Sequence, residues 1–438
     1  ALPAGFTNPG LARTAQYLPG RVRFNDQTFV GFGPIFPFTL AVAKDFEYAY
    51  ANQANVTIER ELTQNMSFSA SYIFVGAHHL PHPQDINAPR GDQLAENFRR
   101  FAGRAPTSNG EAFLFTILNA CPGAGCPPGF VVLIPGLLGR NGLGQGVVNP
   151  IAANFFRPNA PNYFFINSVT GGAVTKPVFD GALAVANSLR TPGLLAPFGE
   201  VDAQLSDGNS VYNALNLEVK RRFSNNFQFL ASYTLSHSED DSSDLQTLLK
   251  PQDNRNFAAE RSDSLFDQRH RFVFSGALSS PAGWRTSSSA GRRFLADFTI
   301  APILEISSGR PFNILTGTDS NGDLQGSTDR PSVAADGSLF IPPTAFTLGD
   351  LPRNRGITHG YASLDLRVMR AIRFGERFRL DLIAEGFNLF NRFNEAAASS
   401  FFRDVNAFNQ RDGSGRYYSL PTAAYDPRQF QFGLKLNF

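Results

Sequence analysis

The chain has 438 residues, a formal net charge of +2 and no run approaching the roughly 18 consecutive apolar residues of a membrane helix. Balanced charge excludes a strongly basic nucleic-acid binder, and any entry into a membrane has to be made by strands. Phe is the unusual residue, with 43 copies against 2 Met and 1 Trp, and it favours strands and lipid-facing surfaces.

Residues 1–45 read as an incomplete N-terminal segment holding at most one strand, near Val22 to Val30. The opening ALPAGFTNPGLARTAQYLPG has neither the basic n-region nor the apolar h-region of a signal peptide and reads as the middle of a loop. The chain is therefore expected to be the C-terminal part of something longer. Strand character begins at Phe46, where Phe46, Tyr48, Tyr50, Ala54, Val56 and Ile58 alternate with polar residues. After the short turn ELTQN, Met66, Phe68, Ala70, Tyr72 and Phe74 oppose Ser67, Ser69 and Ser71, which predicts a hairpin.

Alternation is lost from about Ala77 to about Asp207, a stretch rich in Pro, Gly, Asn and Ala that reads as a long extracellular loop region, 77–207. It contains Cys121 and Cys126 in CPGAGCPPG. The pair can close a small disulfide loop in an oxidising compartment; a free or metal-binding pair is the alternative, weakened because no neighbouring Cys or His completes four ligands. Two strands follow around the turn SNN, with Val211, Leu215, Leu217 and Val219 and then Phe227, Phe229, Ala231, Tyr233 and Leu235 on their apolar faces. RHRFVFSGAL supplies another, and FLADFTIAPILEIS a less regular one blurred by Pro302 and Glu305. YASLDLRVMRAIRF, FRLDLIAEGFNLFN and the terminal RQFQFGLKLNF alternate most clearly, and the last of these runs to the terminal Phe438.

Connections alternate between short (61–65, 224–226, 374–376) and long (77–207, 239–263, 316–355, 392–427), with 279–292 intermediate. Short turns on one rim and long loops on the other are the pattern of an antiparallel transmembrane β-barrel. A soluble β-sandwich has no reason to keep that parity, and its strands average five or six residues, whereas several here run ten to fourteen. The fold class expected is all-β, a partial barrel of about nine or ten strands over residues 46–438, in the outer membrane of a Gram-negative bacterium. Phe438 is expected to act as a C-terminal assembly signal for the barrel assembly machinery.

From Phe46 to Phe438 the chain resembles the C-terminal part of a TonB-dependent outer-membrane receptor, of the Oar-like type that carries a carboxypeptidase-regulatory-like domain. The resemblance rests on the order and spacing of SDGNSVYNALNLEVKRRFSNNFQFLASYTLSHSEDD (Ser206 to Asp241), ERSDSLFDQRHRFVFSGAL (Glu260 to Leu278), SSGRPF (Ser307 to Phe312), RNRG (Arg353 to Gly356), AEGFNLFNRFN (Ala384 to Asn394) and RQFQFGLKLNF. It implies a barrel of about 22 strands plugged by an N-terminal domain, pulled through a short box by the TonB complex, for active uptake of a bulky, scarce solute. Plug, box, regulatory-like domain and about half the barrel are not in this sequence, so transport is expected of a parent protein. The alternatives are a structural or adhesive surface barrel and a passive porin.

Candidate sites lie in the polar stretches. Asp319, Asn321, Asp323 and Asp329 in DSNGDLQGSTDR start like a calcium loop, but Leu324 and Arg330 stand where an EF-hand needs Gly and Glu; an Asx-rich turn is the alternative. His78, His79 and His82 could bind a transition metal or simply line a polar rim. Glu239, Asp240, Asp241 and Asp244 read as a solvated loop able to bridge divalent cations to lipopolysaccharide. Glu218, Lys220, Arg222, Arg367, Arg379, Asp381 and Glu385 form a charged lumen row, and any wet barrel interior is charged. No GxSxG, HExxH or Walker A sequence is present, so no enzyme is expected; nor is any cofactor beyond a possible calcium ion.

Overall fold

The computed structural model describes residues 39–86, 88, 91, 95, 99, 103–107, 138–140, 146–148, 201–243, 250–323, 325, 327–343, 346–375 and 377–438. Cys121, Cys126, Asp244 and the strand expected near Val22 to Val30 lie outside them. Nine long strands build one sheet: β1 (Tyr50–Thr63), β2 (Met66–Asp85), β3 (Val201–Ser224), β4 (Phe227–Asp240), β5 (His270–Ser279), β6 (Phe298–Ser307), β7 (Tyr361–Phe374), β8 (Phe378–Phe387) and β9 (Gln429–Asn437). Each pairs antiparallel with its neighbour in sequence, so the sheet is an up-and-down meander with β1 and β9 as its open edges. Among the described residues no helix is long and apolar enough to cross a membrane.

The turn chemistry explains the short rim. Asn225 and Asn226 both hold positive φ, 52° and 65°, in a two-residue connection whose twist matches the flanking strands. Gly375, at φ 65°, opens the three-residue turn from β7 to β8. The β5–β6 connection on this rim is longer: a 3₁₀ turn (Ala282–Thr286) leads to the helix α1 (Ala290–Phe294). Arg285 Nε donates to both oxygens of Asp297, at 2.6 and 2.7 Å. Trp284 there shares an apolar hollow with Leu278, Phe298 and Val368, and the Arg370 guanidinium lies over the Phe294 and Phe298 rings at 5.2 and 5.1 Å. All the long connections emerge at the opposite rim, as the loop parity anticipated.

Register places the apolar positions on one face. Phe432, Ala384, Val368, Ile300, Leu278 and Phe227 stand opposite one another across six strands. Leu235, Leu215, Tyr72 and Val56 continue the face across the rest. These side chains have little protein over them; Phe432 is 81 % and Ile58 68 % exposed. A contiguous apolar surface of nine strands far exceeds what a water-soluble protein leaves bare and matches a lipid-facing wall. The largest fully buried side chains, Ile314, His82 and Val405, all lie on the long-loop side of the molecule.

Two local expectations change, and the less regular strand is kept. Strand β1 begins at Tyr50, not Phe46. Residues up to Asp85 and from Val201, expected in the long loop, extend β2 and β3. Their ladder continues through register shifts at Ala77/Leu80 and Leu80/His82. Above the lipid both faces of a strand can be wet, so pairing persists there without period-two alternation. The bulge needs Gly208, where a Cβ would stand 2.7 Å from the Leu80 carbonyl oxygen. Finally, Pro302 sits inside β6: it pairs with Leu366 on the β7 side, and the gap its missing N–H leaves falls between the Ile300–Leu278 and Ile303–Ser275 pairs on the β5 side.

Val368→Arg, in the middle of β7 on the apolar face, is expected to destabilise the membrane-embedded protein by roughly 2–4 kcal/mol. Arg367→Ser, one residue away on the polar face, is expected to cost well under that. Denaturant unfolding followed by Trp284 emission checks both.

Candidate functional site

The long connections after β4, β6 and β8 fold together into a cap over the rim. Its apolar centre is Ile314, Leu339, Leu351, Phe402, Val405 and Tyr417, with Phe312 and Ile341 packed against it. The helix α2 (Phe402–Phe408) contributes Phe402 and Val405 from one face. Two segments of the receptor-like pattern meet here, because Phe312 of SSGRPF pairs with Gly356 of RNRG. A Cβ on residue 356 would fall 2.4 Å from the Phe312 ring, so the glycine permits the contact.

Charge pairing ties the cap to the sheet. Arg330 forks onto Glu260 at 2.7 and 3.0 Å and donates to the Leu351 carbonyl at 2.9 Å. Arg353 donates to the Glu260 carbonyl at 2.8 Å and also grips Asp240 at the end of β4. All four side chains are buried. The acidic run is therefore built differently from a solvated loop: Asp240 is held by Arg353, and Asp241 accepts the Asn209 N–H at 2.9 Å. Asp267 accepts the Ser238 N–H at 2.8 Å, and burial holds its carboxyl above the usual range. Asn394 replaces a missing rung by side-chain pairing, accepting from and donating to the backbone of Ala362 at 2.9 and 3.0 Å.

The three histidines of HHLPH do not converge. His78 meets Asn209, His79 meets Glu47, and His82 meets Asp207 at 2.5 Å while stacking on Phe257. Among the described residues, the metal-ligating types whose ligand atoms lie within 4.8 Å of one another are His237, Glu239 and Asp263. Of these only Glu239 stood out in the sequence; Asp263 reaches it as a cross-strand partner from a two-residue strand. Arg261, Arg269 and Arg416 stand 3.5–4.0 Å from the two carboxylates, so the trio reads as an ion-pair network already neutralised.

The Asp319–Asp329 turn is compact and acidic. Asp319 Oδ1 accepts the Gly322 N–H, Asn321 Oδ1 the Asp323 N–H, and Asp329 Oδ2 the Ser320 N–H and hydroxyl. Burial and the neighbouring carboxylate of Asp319 push Asp329 up to about 7; burial, then Asp319 and Asp329, push Asp323 well above its ordinary value.

On the polar face, the lumen row is internally paired: Arg379 donates to Asp381 at 2.6 Å, and Arg367 lies 3.6 Å from Glu385. Glu218 and Lys220 share that face, whereas the Arg222 N–H bonds to Asn65 at the turn. Where this face meets the cap there is a cavity of about 610 Å³. Arg271, Glu305 and Tyr361 come from the wall; Arg310, His359 and Glu395 come from the cap. Arg271 is committed to Glu305 at 2.9 Å. The described residues give the exposed Arg310 guanidinium no partner. Glu395 Oε2 accepts the His359 backbone N–H and faces His359 Nδ1 at 2.7 Å, while its buried Oε1 has no hydrogen-bond partner among the described residues. The His359 ring is fixed further by stacking on Tyr418, 4.3 Å between centroids. An unmatched cationic group beside an oriented, half-exposed imidazole on a wet surface suits reversible binding of a polar solute. None of this was legible from spacing, because Arg310 and His359 sit at opposite ends of one connection and Glu395 lies in another.

Arg330→Ala, which strands Glu260 in the cap, is expected to cost roughly 3–5 kcal/mol of local stability. Limited proteolysis should then cut the 250–360 region far faster while the sheet keeps its resistance to SDS at room temperature.

The sequence matches the family model "Outer membrane beta barrel domain" over residues 3–431. No curated protein matches. Solved structures that align include the outer membrane transporter YddB from Escherichia coli, at 7 % identity, 92 % of this chain, 34 % of that chain and a TM-score of 0.39. The ferric-catecholate import receptor Fiu from E. coli aligns at 10 % identity over 90 % of this chain and 28 % of that one, with a TM-score of 0.34. FpvA from Pseudomonas aeruginosa, bound to heterologous pyoverdines, aligns at 8 % identity over 90 % and 27 %, with a TM-score of 0.36. The chain thus spans about a third or less of the length of these structures. The family match covers nearly the whole sequence, and the apolar wall, loop parity and wet inner face agree with it: the chain belongs to the outer-membrane β-barrel domain family and is a protein of the Gram-negative outer membrane.

Proposed function

We propose that this chain forms the C-terminal wall and mouth of a TonB-dependent receptor that takes up a bulky polar solute. The observation that carries this reading is the cavity at the junction of wall and cap, lined by the exposed Arg310 guanidinium, which no described residue partners, and by His359, whose ring is held by the buried Glu395. A wide passive pore would need neither a folded cap nor such groups. The ordered receptor-like segments support the same reading. So do the open edges β1 and β9, whose free backbone groups cannot stay unpaired in lipid; further strands and a plug, the part on which TonB would act, would complete the barrel.

The test is solute depletion. Mass spectrometry of spent medium should show one or more bulky solutes removed by wild-type cells but left behind by cells lacking this gene and by cells lacking TonB. Arg310→Glu should slow removal about tenfold, a change of about 1.4 kcal/mol in recognition, at an unchanged surface level. Equal depletion in every strain, or removal that persists without TonB, would overturn the proposal.

Phe438 follows β9 and is 92 % exposed, with little protein packed over it. We assign it to recognition by the barrel assembly machinery. Deleting it is expected to lower the heat-modifiable form in the outer membrane several-fold, with refolding into detergent unchanged; loss of refolding as well would make its role structural.

A further inference from the structure

The connection from β5 to β6 folds against the lipid-facing side of the wall. Trp284 and Leu295 from it, with Leu278, Phe298, Ile300 and Val368 of the strands, line a hollow of about 500 Å³. By register the four strand residues all belong to the apolar face. Arg370 stands on that same face, across from Phe298 of β6 and Leu382 of β8. Its guanidinium lies over the Phe294 and Phe298 rings, but among the described residues no carboxylate meets it and no oxygen accepts from its N–H groups. An arginine on a lipid-facing wall is costly at the midplane and tolerated only near the headgroups. The same bias runs along the rim. In the short-turn half of the strands, the charged side chains that register turns outward are Arg60, Arg221 and Arg370, with no acid among them. Arg221 lies over the Phe227 ring, and its buried Nε has no hydrogen-bond partner among the described residues. The nearby Asp297 is already held by Arg285, and α1 adds the exposed Arg292 and Arg293.

We propose that the hollow seats an acyl chain of an anionic glycerophospholipid from the periplasmic leaflet, with the lipid phosphate on Arg370 and Arg292. Short turns mark the periplasmic rim, where the leaflet is built of phospholipid. The position of Arg370 fits this occupant: it lies two residues nearer the turn than Val368, so the charge sits at headgroup level and the hollow below it. A guanidinium offers a planar fork of donors that matches phosphate oxygens, and the ring contacts hold it in place without using that fork. Trp284 is amphipathic and suits the water–lipid border, while Phe294 and Leu295 are exposed apolar side chains that the same leaflet would cover. The site is separate from the solute cavity, which lies on the other face of the wall at the opposite rim.

The experiment uses the intact protein extracted from outer membranes in mild detergent and stripped of lipid by detergent exchange. Three probes are offered and binding is read by native mass spectrometry: dioleoyl-phosphatidylglycerol, dioleoylglycerol, which keeps the chains without the phosphate, and glycerol phosphate, which keeps the phosphate without the chains. Dioleoyl-phosphatidylglycerol is expected to be retained well above the other two. Arg370→Gln should weaken its retention about tenfold and Arg292→Gln about fivefold, with Arg370→Lys closer to wild type than Arg370→Gln. Arg292 is exposed on α1, so its variant keeps the test open if Arg370→Gln fails to assemble. Equal retention of dioleoylglycerol overturns the proposal, because the hollow is then an unselective apolar surface. Retention unchanged in both variants overturns it too, as does a second copy of the protein bound in place of lipid.

Discussion

Inside a bilayer no water is present to take up an unpaired amide, and the continuous ladder from β1 to β9 answers that constraint before any other. Because each strand pairs with its neighbour in sequence, one register decides the direction of every side chain. With β7 in place, a slip of one residue between β7 and β8 would turn Leu382 inward and put Asp381 into lipid. The apolar wall and the charged lumen row are therefore a single feature seen from two sides. The turns guard it: Asn225 and Asn226 accept a backbone that most residues resist, and so fix where β3 hands over to β4.

Above the lipid the governing cost changes from unpaired amides to buried charge. There the strands bulge and Asn394 pairs by side chain, and a small apolar cluster is enclosed by ionic contacts among Glu260, Arg330, Arg353 and Asp240. Such pairs lose much of their attraction to desolvation, yet removing one partner is costly. They specify one arrangement of the long connections more than they add stability, and the cavity that holds Arg310 and Glu395 exists only in that arrangement.

The wall was legible in the sequence because its rule is local. Phe430 to Leu436 and Leu364 to Ile372 alternate by themselves, and loop parity follows by counting. Pro302 blurred one strand without breaking it, since a single missing N–H leaves one rung open. The cap was not legible, because its contacts are long-range: Arg353 and Asp240 are 113 positions apart. Adjacency misled at His78, His79 and His82, which a bulged strand sends to different partners. The same acidic run that looked like a solvated loop supplies a buried anchor, and nothing in its composition separates Asp240 from Asp241.

The chain carries a single tryptophan, and it stands on the short-turn rim beside Leu278 and Phe298, at the border of the apolar face. A strand pair that enters a membrane turn-first must carry its turn across the whole hydrocarbon layer. Trp284 would ride at the leading end of β5 and β6 and pass from water through oil to the far interface. Its emission would shift to the blue and then partly return, so this stretch of chain holds an optical clock for the order in which its part of the wall inserts.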